Sequence, residues 1–146
     1  MSMIQVPYWH LGVDQDGVTR MTRRFVAAAP SGKKWHGIGR IASSQPFGEV
    51  NQQQLIVLQP GDFYGWHENP FPQWIVPLCG AWFVETLDGG RVEMGPGELC
   101  FGEDQGSRSS GGRQGHQSGV VGDEPCVLLL IQNNPARTTG ETGTTA

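Results

Sequence analysis

Short runs of hydrophobic residues, each ending at a glycine or proline, recur along most of the chain. Residues 54–58 and 73–78 are two such runs, and both have the length of a strand. Residues 82–86 and 91–94 flank Asp88-Gly89-Gly90, where Asp-Gly supplies the positive φ angles that a tight strand reversal requires. The pattern predicts an all-β fold with further strands at residues 8–11, 18–26, 98–103, 117–121 and 126–132.

Three stretches lack this strand pattern. Residues 27–49 are expected to form a long connection between strands. Residues 105–115 are rich in Gly and Ser and have no apolar anchor, so they predict a mobile loop, either a lid or a plain surface insertion. The polar, Thr- and Gly-rich residues 133–146 predict a disordered tail.

Composition and charge narrow the function classes. The chain has 22 Gly and 10 Pro, a composition that argues against a helical bundle. Its length of 146 residues is enough for one domain with a hydrophobic core. The net charge of −4 offers no basic surface for nucleic acid. No run approaches the ~20 apolar residues of a membrane span, and no signal-peptide pattern opens the chain, so the expected compartment is the cytoplasm, with no membrane partner.

Residues capable of chemistry fall in two segments beside turns. The first segment, residues 60–73, carries His67, with Asn69, Gln73, Tyr64 and Trp66 as candidate substrate-binding residues. Side chains alternate along an extended chain, so His67 and Asn69 should share a face while Glu68 points away. The second segment carries Glu103, Asp104 and, after the loop, His116; only one of the two adjacent carboxylates can point inward.

The two segments together resemble the two motifs of the cupin superfamily. Its first motif, G-x5-H-x-H-x3/4-E-x6-G, matches in spacing at Gly61, His67, Asn69, Gln73 and Gly80, with amides in place of the second histidine and the glutamate. Its second motif, G-x5-P-x-G-x2-H, has its ends at Gly97 and His116, with a longer intervening span. The chain is also similar to small single-domain cupins with H-x2-P-x2-Q and a later E-D, here His67, Pro70, Gln73, Glu103 and Asp104.

The resemblance implies a cupin-like jelly-roll β-barrel, with a small-molecule pocket where these residues converge. It covers residues 52–132, so residues 51–132 would form the barrel core and residues 1–50 would contribute strands and a connection that pack on it. Exposed edge strands and an aromatic-rich surface make a homodimer an expected assembly.

Three kinds of chemistry remain open for such a pocket. One divalent metal (Fe, Zn, Ni or Mn) bound by His67, Gln73 and His116 would support a dioxygenase or lyase. Without metal, His67, Glu103 and His116 are candidate acid/base residues for an isomerase, dehydratase or cyclase, with the amides binding a substrate oxygen. The third possibility is small-ligand binding without turnover. His10 and His36, outside the matched region, are expected to be surface or packing residues.

Overall fold

A computed structural model describes residues 2–35 and 39–134, with backbone alone for residues 31–35, 39 and 40. Within those ranges the chain forms eleven β-strands and no helix, which confirms the predicted all-β class. In chain order these are β1 (Ile4–Val13), β2 (Thr19–Trp35), β3 (Gly39–Ser43), β4 (Val50–Leu58), β5 (Phe63–His67), β6 (Gln73–Cys79), β7 (Ala81–Thr86), β8 (Arg91–Met94), β9 (Cys100–Gly102), β10 (His116–Val121) and β11 (Cys126–Asn133). The described residues include no helix with the length and apolarity needed to cross a membrane.

The strands form two sheets. The larger sheet has the order β3-β2-β1-β9-β6-β11-β4, and the smaller has the order β5-β10-β7-β8. The described strands do not close into a single barrel. Pairing is antiparallel except between β1 and β9, which run parallel. This parallel pair joins the N-terminal strands to the same sheet as β6 and β11.

The hydrophobic core lies between the two sheets. Ile75 and Leu128 project into it from the larger sheet, and Val84 and Met94 from the smaller one. Alternation along each strand explains the burial: on β4, Leu58 is 7% exposed, whereas Leu55 is 61% exposed on the outer face. The region between the sheets is therefore where inward-pointing polar side chains would be enclosed.

One segment differs from its predicted structure. The prediction of a long connection at residues 27–49 is wrong, because β2 continues to Trp35 and pairs with β3, with Ala29 opposite Ser43. An Ala-rich run ending in Pro30 has low intrinsic strand propensity, and Pro30 lies where the register shifts, a position that tolerates a missing N–H. His36 and residues 135–146, which include most of the predicted tail, lie outside the described residues.

Candidate functional site

Strand β5 carries two residues of the site because its pairing with β10 is irregular. His67 lies opposite His116 and Tyr64 lies opposite Ser118, so a three-residue step on β5 faces a two-residue step on β10. Such a bulge turns a strand locally and breaks the regular alternation of its side chains. As a result, Tyr64 and His67 both line the same cavity between the sheets, although their odd spacing would otherwise separate them.

The two histidines of the site meet across this strand pair. The ring centroids of His67 and His116 are 4.4 Å apart, and the ring planes are tilted by 51°. His116 is buried at 3% exposure, whereas His67 is exposed. Gly115 makes the approach possible, because its φ is +75° and a Cβ at this position would collide with the His67 carbonyl.

A buried hydrogen-bond network extends from His116 to the start of β6. Asp104 Oδ2 accepts from His116 Nδ1 at 2.6 Å, and Asp104 Oδ1 accepts from the backbone N–H and the side-chain Nδ2 of Asn69, both at 2.9 Å. Gln73 Nε2 in turn donates to Asn69 Oδ1 at 2.7 Å. We call these four side chains the Asp104 network. It fixes the amide orientations of Asn69 and Gln73 with respect to the cavity.

The charge state of Asp104 follows from its surroundings. Burial raises the pKa of the Asp104 carboxyl, but the hydrogen bond and charge of His116 and the N–H groups of Asn69 outweigh burial and hold the pKa below its ordinary value. An ionised carboxylate can only accept hydrogen bonds, so His116 Nδ1 carries a proton. The Nε2 atom of His116 is then the nitrogen that can exchange a proton with a ligand.

His67 is oriented in the same way by a different acceptor. Its Nδ1 donates to the backbone carbonyl of Gly65 at 2.6 Å. A carbonyl oxygen cannot donate, so this contact also places the proton on Nδ1 and leaves Nε2 available. In both cavity histidines, Nε2 is therefore the nitrogen that is available to a ligand.

The cavity itself is small and mostly apolar. Its volume is about 200 Å³, and aliphatic side chains from β4, β6 and β11 form one wall. No Lys, Arg, Asp or Glu is among the described residues that line it. The lining residues are Ile56, Leu58, Tyr64, His67, Asn69, Pro70, Gln73, Ile75, Trp82, His116, Ser118, Leu128 and Leu130.

The predicted sharing of a face by His67 and Asn69 is confirmed. Both line the cavity, together with Gln73, Tyr64 and His116. Glu68 points away from it, and its Oε2 accepts from the backbone N–H and hydroxyl of Ser107 at 2.7 and 2.6 Å. Tyr64 donates its hydroxyl to Asp62 Oδ2 at 3.3 Å, and burial together with the Asp62 charge raises the pKa of Tyr64, so this phenol stays protonated.

Two candidate residues do not line the cavity. Glu103 pairs with His10 and lines a separate cleft beside Phe101, so it is not in contact with the two cavity histidines. The carboxylate that meets His116 is the next residue, Asp104. Trp66 also lies elsewhere, with the guanidinium of Arg113 5.6 Å from its ring centroid.

Sequence reasoning chose Glu103 rather than Asp104 as the carboxylate of the site, and it did not assign Ser118 or Trp82 to the pocket. A signal for Asp104 was present: Cys100 is an apolar residue at a predicted core position, and residues 100, 102 and 104 share one face of a strand. The same alternation turns Glu103 outward with Phe101. Trp82 and Ser118 had no comparable signal, because their roles depend on which strands become neighbours.

The donor set limits metal binding. Among the described residues no three His, Cys, Asp or Glu side chains come together as a metal-binding group. His67 and His116 are neutral donors, Gln73 offers only an amide oxygen, and both Asp104 oxygens already accept hydrogen bonds. This set lacks the anionic ligand that helps to hold a transition metal, so it fits one poorly. Metal-dependent activity stays a prediction.

The loop at residues 105–115 is attached to the site at several points. Ser107 is buried, and its hydroxyl accepts from the backbone N–H of Gly115 at 2.9 Å while donating to Glu68. The Arg108 N–H donates to the carbonyl of Gly17 at 2.8 Å. The Ser107 contact connects the loop to Gly115, the residue just before His116. A lid function for this loop stays a prediction.

No protein-family model and no curated protein matches this chain.

Proposed function

We propose that this protein is a cupin-like enzyme that performs acid/base chemistry, of the isomerase, dehydratase or cyclase type, on a small polar organic molecule. Support for a cupin-like jelly roll comes from two facing β-sheets with His67, Asn69, Gln73 and His116 on one cavity between them. These motif residues lie up to 49 positions apart in the sequence, yet they line the same cavity.

The observation that carries the proposal is the paired orientation of the two imidazoles. His67 and His116 each use Nδ1 on a fixed acceptor and leave Nε2 for a ligand in the same cavity. A general base needs a fixed tautomer and a partner that stabilises the imidazolium it becomes. The buried Asp104 carboxylate supplies both to His116.

His116 is accordingly the base and His67 the acid in our proposal. Nε2 of His116 takes a proton from a substrate carbon, and the C–H electron pair stays on the substrate, delocalised into an adjacent carbonyl. His67, when protonated, then gives a proton to a second carbon, which completes an isomerisation, or to a hydroxyl that leaves as water. Asn69 and Gln73 accept or donate hydrogen bonds from fixed positions at the same end of the cavity.

The distance between the rings also limits the stereochemistry. Centroids 4.4 Å apart leave no room for a substrate between the two imidazoles. Both histidines must therefore act on one face of the bound molecule. We expect proton removal and proton return on that same face, or elimination of water in the syn sense.

The test measures exchange of carbon-bound protons into D2O by NMR, with a panel of small ketones and β-hydroxy ketones that includes cyclohexanone. The wild-type protein should accelerate exchange above the buffer rate. His116→Gln should lower the protein-catalysed rate about 100-fold or more, the ordinary size of a general-base effect. The same reaction is run after treatment with EDTA.

His10→Gln is the matched control, because His10 also pairs with a carboxylate but does not line the cavity. It should leave the exchange rate unchanged. An equal loss of exchange rate in both variants would contradict the assignment of His116 as the base. Absence of exchange across the panel favours ligand binding without turnover, and loss on chelation with recovery on adding Fe, Zn, Ni or Mn favours the metal-dependent alternative.

A further inference from the structure

Two buried indole N–H groups have no hydrogen-bond partner among the described residues. They belong to Trp82, 3% exposed, and Trp74, 7% exposed, and no other buried side-chain polar atom in that part of the chain is left in this state. A buried tryptophan N–H ordinarily finds a partner, and an unsatisfied one calls for an explanation. Trp82 lines the cavity between the sheets, so a ligand there can supply the missing acceptor.

Strand register places Trp82 at the opposite end of the cavity from the imidazoles. On β7 and β10, Trp82 lies opposite Val120, whereas Thr86 lies opposite His116. His116 and Val120 are four positions apart, which corresponds to roughly 13 Å along a strand. Ser118 lies between them on the cavity wall. The cavity thus has an imidazole end and an indole end.

The wall between these ends excludes charged ligands. It consists largely of the aliphatic side chains Ile56, Ile75, Leu128 and Leu130, and no Lys, Arg, Asp or Glu is among the described lining residues. A carboxylate or phosphate beside this wall or at the indole end would lose its hydration without gaining a counter-charge, because the two imidazoles lie at the other end. A cavity of about 150 Å³ is known to hold a benzene ring, so 200 Å³ suits a substituted six-membered ring.

We infer that the cavity binds an uncharged ligand with a compact apolar body and an oxygen acceptor that takes the hydrogen bond of Trp82 Nε1, at the end remote from the imidazoles. The inference rests on the proposed function for the chemistry at His67 and His116. It adds the substrate class: a neutral oxygenated molecule such as a cyclic ketone or lactone, rather than an organic acid or a phosphate ester. Trp82 selects for the acceptor and positions the reacting end.

Cyclohexanone and methylenecyclohexane test this directly, because they have nearly the same shape and only the ketone has an acceptor. In ¹⁵N-labelled wild-type protein, cyclohexanone should shift the indole N–H signal of Trp82, which is assigned by its absence from Trp82→Phe. Methylenecyclohexane should leave the Trp82 signal in place. Neither probe should shift the indole N–H signal of Trp74. Trp82→Phe should weaken cyclohexanone binding about fivefold, the size of one hydrogen bond, and leave methylenecyclohexane binding unchanged.

Trp74→Phe is the matched control, because it removes the other unpartnered indole, which does not line this cavity, and it should change neither affinity. Cyclohexanecarboxylate should bind at least tenfold more weakly than the ketone. The inference is overturned if the carboxylate binds as well as the ketone, if cyclohexanone does not bind, or if the Trp82 signal does not respond. Binding as described without α-proton exchange would contradict the proposed function alone.

Discussion

At the scale of single residues, Asp104 decides which nitrogen of His116 exchanges a proton. Its two oxygens accept three hydrogen bonds, one of them from His116 Nδ1, and no water-exposed surface remains on the residue. Gly102 contributes by its small size, because a Cβ there would come within 2.5 Å of Asn69 Nδ2. The geometry of the base therefore depends on residues that do not line the cavity themselves.

Asp104→Asn tests this positioning role. The amide can donate to His116 Nδ1 and so favours the wrong tautomer, and we expect the rate of α-proton exchange to fall about 100-fold or more. The free energy of unfolding should fall by about 1–3 kcal/mol, the cost of a disturbed buried polar group. Glu103→Gln is the adjacent control and should keep the exchange rate, since Glu103 pairs with His10. A comparable loss in Glu103→Gln would restore the prediction that Glu103 is catalytic.

Acid should destabilise the fold through the same carboxylate. The pKa of Asp104 is lower in the folded chain than the unfolded value near 3.9, so its contribution is fully present above about pH 4. That contribution is lost as the pH falls through the folded pKa. Urea unfolding at pH 6 and pH 3 should show a larger drop in unfolding free energy for the wild type than for Asp104→Asn. Equal drops would mean that the Asp104 pKa is not lowered.

At the scale of elements, the loop at residues 105–115 supports the start of β10. The Ser107 hydroxyl contacts both Glu68, after β5, and the backbone of Gly115, before β10. The loop therefore links the two strands that carry the cavity histidines. Because of these contacts, we expect substitutions in the loop to affect the position of His116.

Ser107→Ala tests this link between the loop and the start of β10. The buried N–H of Gly115 loses its acceptor, so we expect its hydrogen exchange to accelerate and the free energy of unfolding to fall by about 1–2 kcal/mol. Ser109→Ala, an exposed position in the same loop, should change neither quantity. Unchanged exchange at Gly115 in Ser107→Ala would show that the loop contact does not hold β10.

The elements also show what the sequence could and could not predict. Strands such as β6 and β7 follow from short hydrophobic runs bounded by turn residues, and consecutive residues of both strands are buried. The bulge in β5 has no such local signal, since it arises only from the pairing of Tyr64 and His67 with β10. Trp66 was assigned to the pocket by sequence proximity, and the same bulge explains why proximity failed.

At the scale of the whole molecule, the outer face of the larger sheet is unusually apolar. Leu55 and Val57 on β4 are 61% and 53% exposed, and Val76 and Leu129 lie beside them by strand register. Ile56 and Leu58, which alternate with these residues, face the cavity instead. A hydrophobic surface of this kind often marks a site of association with another protein surface.

The predicted homodimer can be tested on this face. If two copies bury Leu55 and Val57 against each other, the double variant Leu55→Lys/Val57→Lys places four charges in the interface and should convert a dimer to a monomer in light scattering. Phe63→Lys is the control, because Phe63 is equally exposed, at 59%, but lies on the smaller sheet. It should leave the molar mass unchanged. A wild-type monomer across the concentration range, or a dimer that survives the double variant, would show that this face does not join two copies.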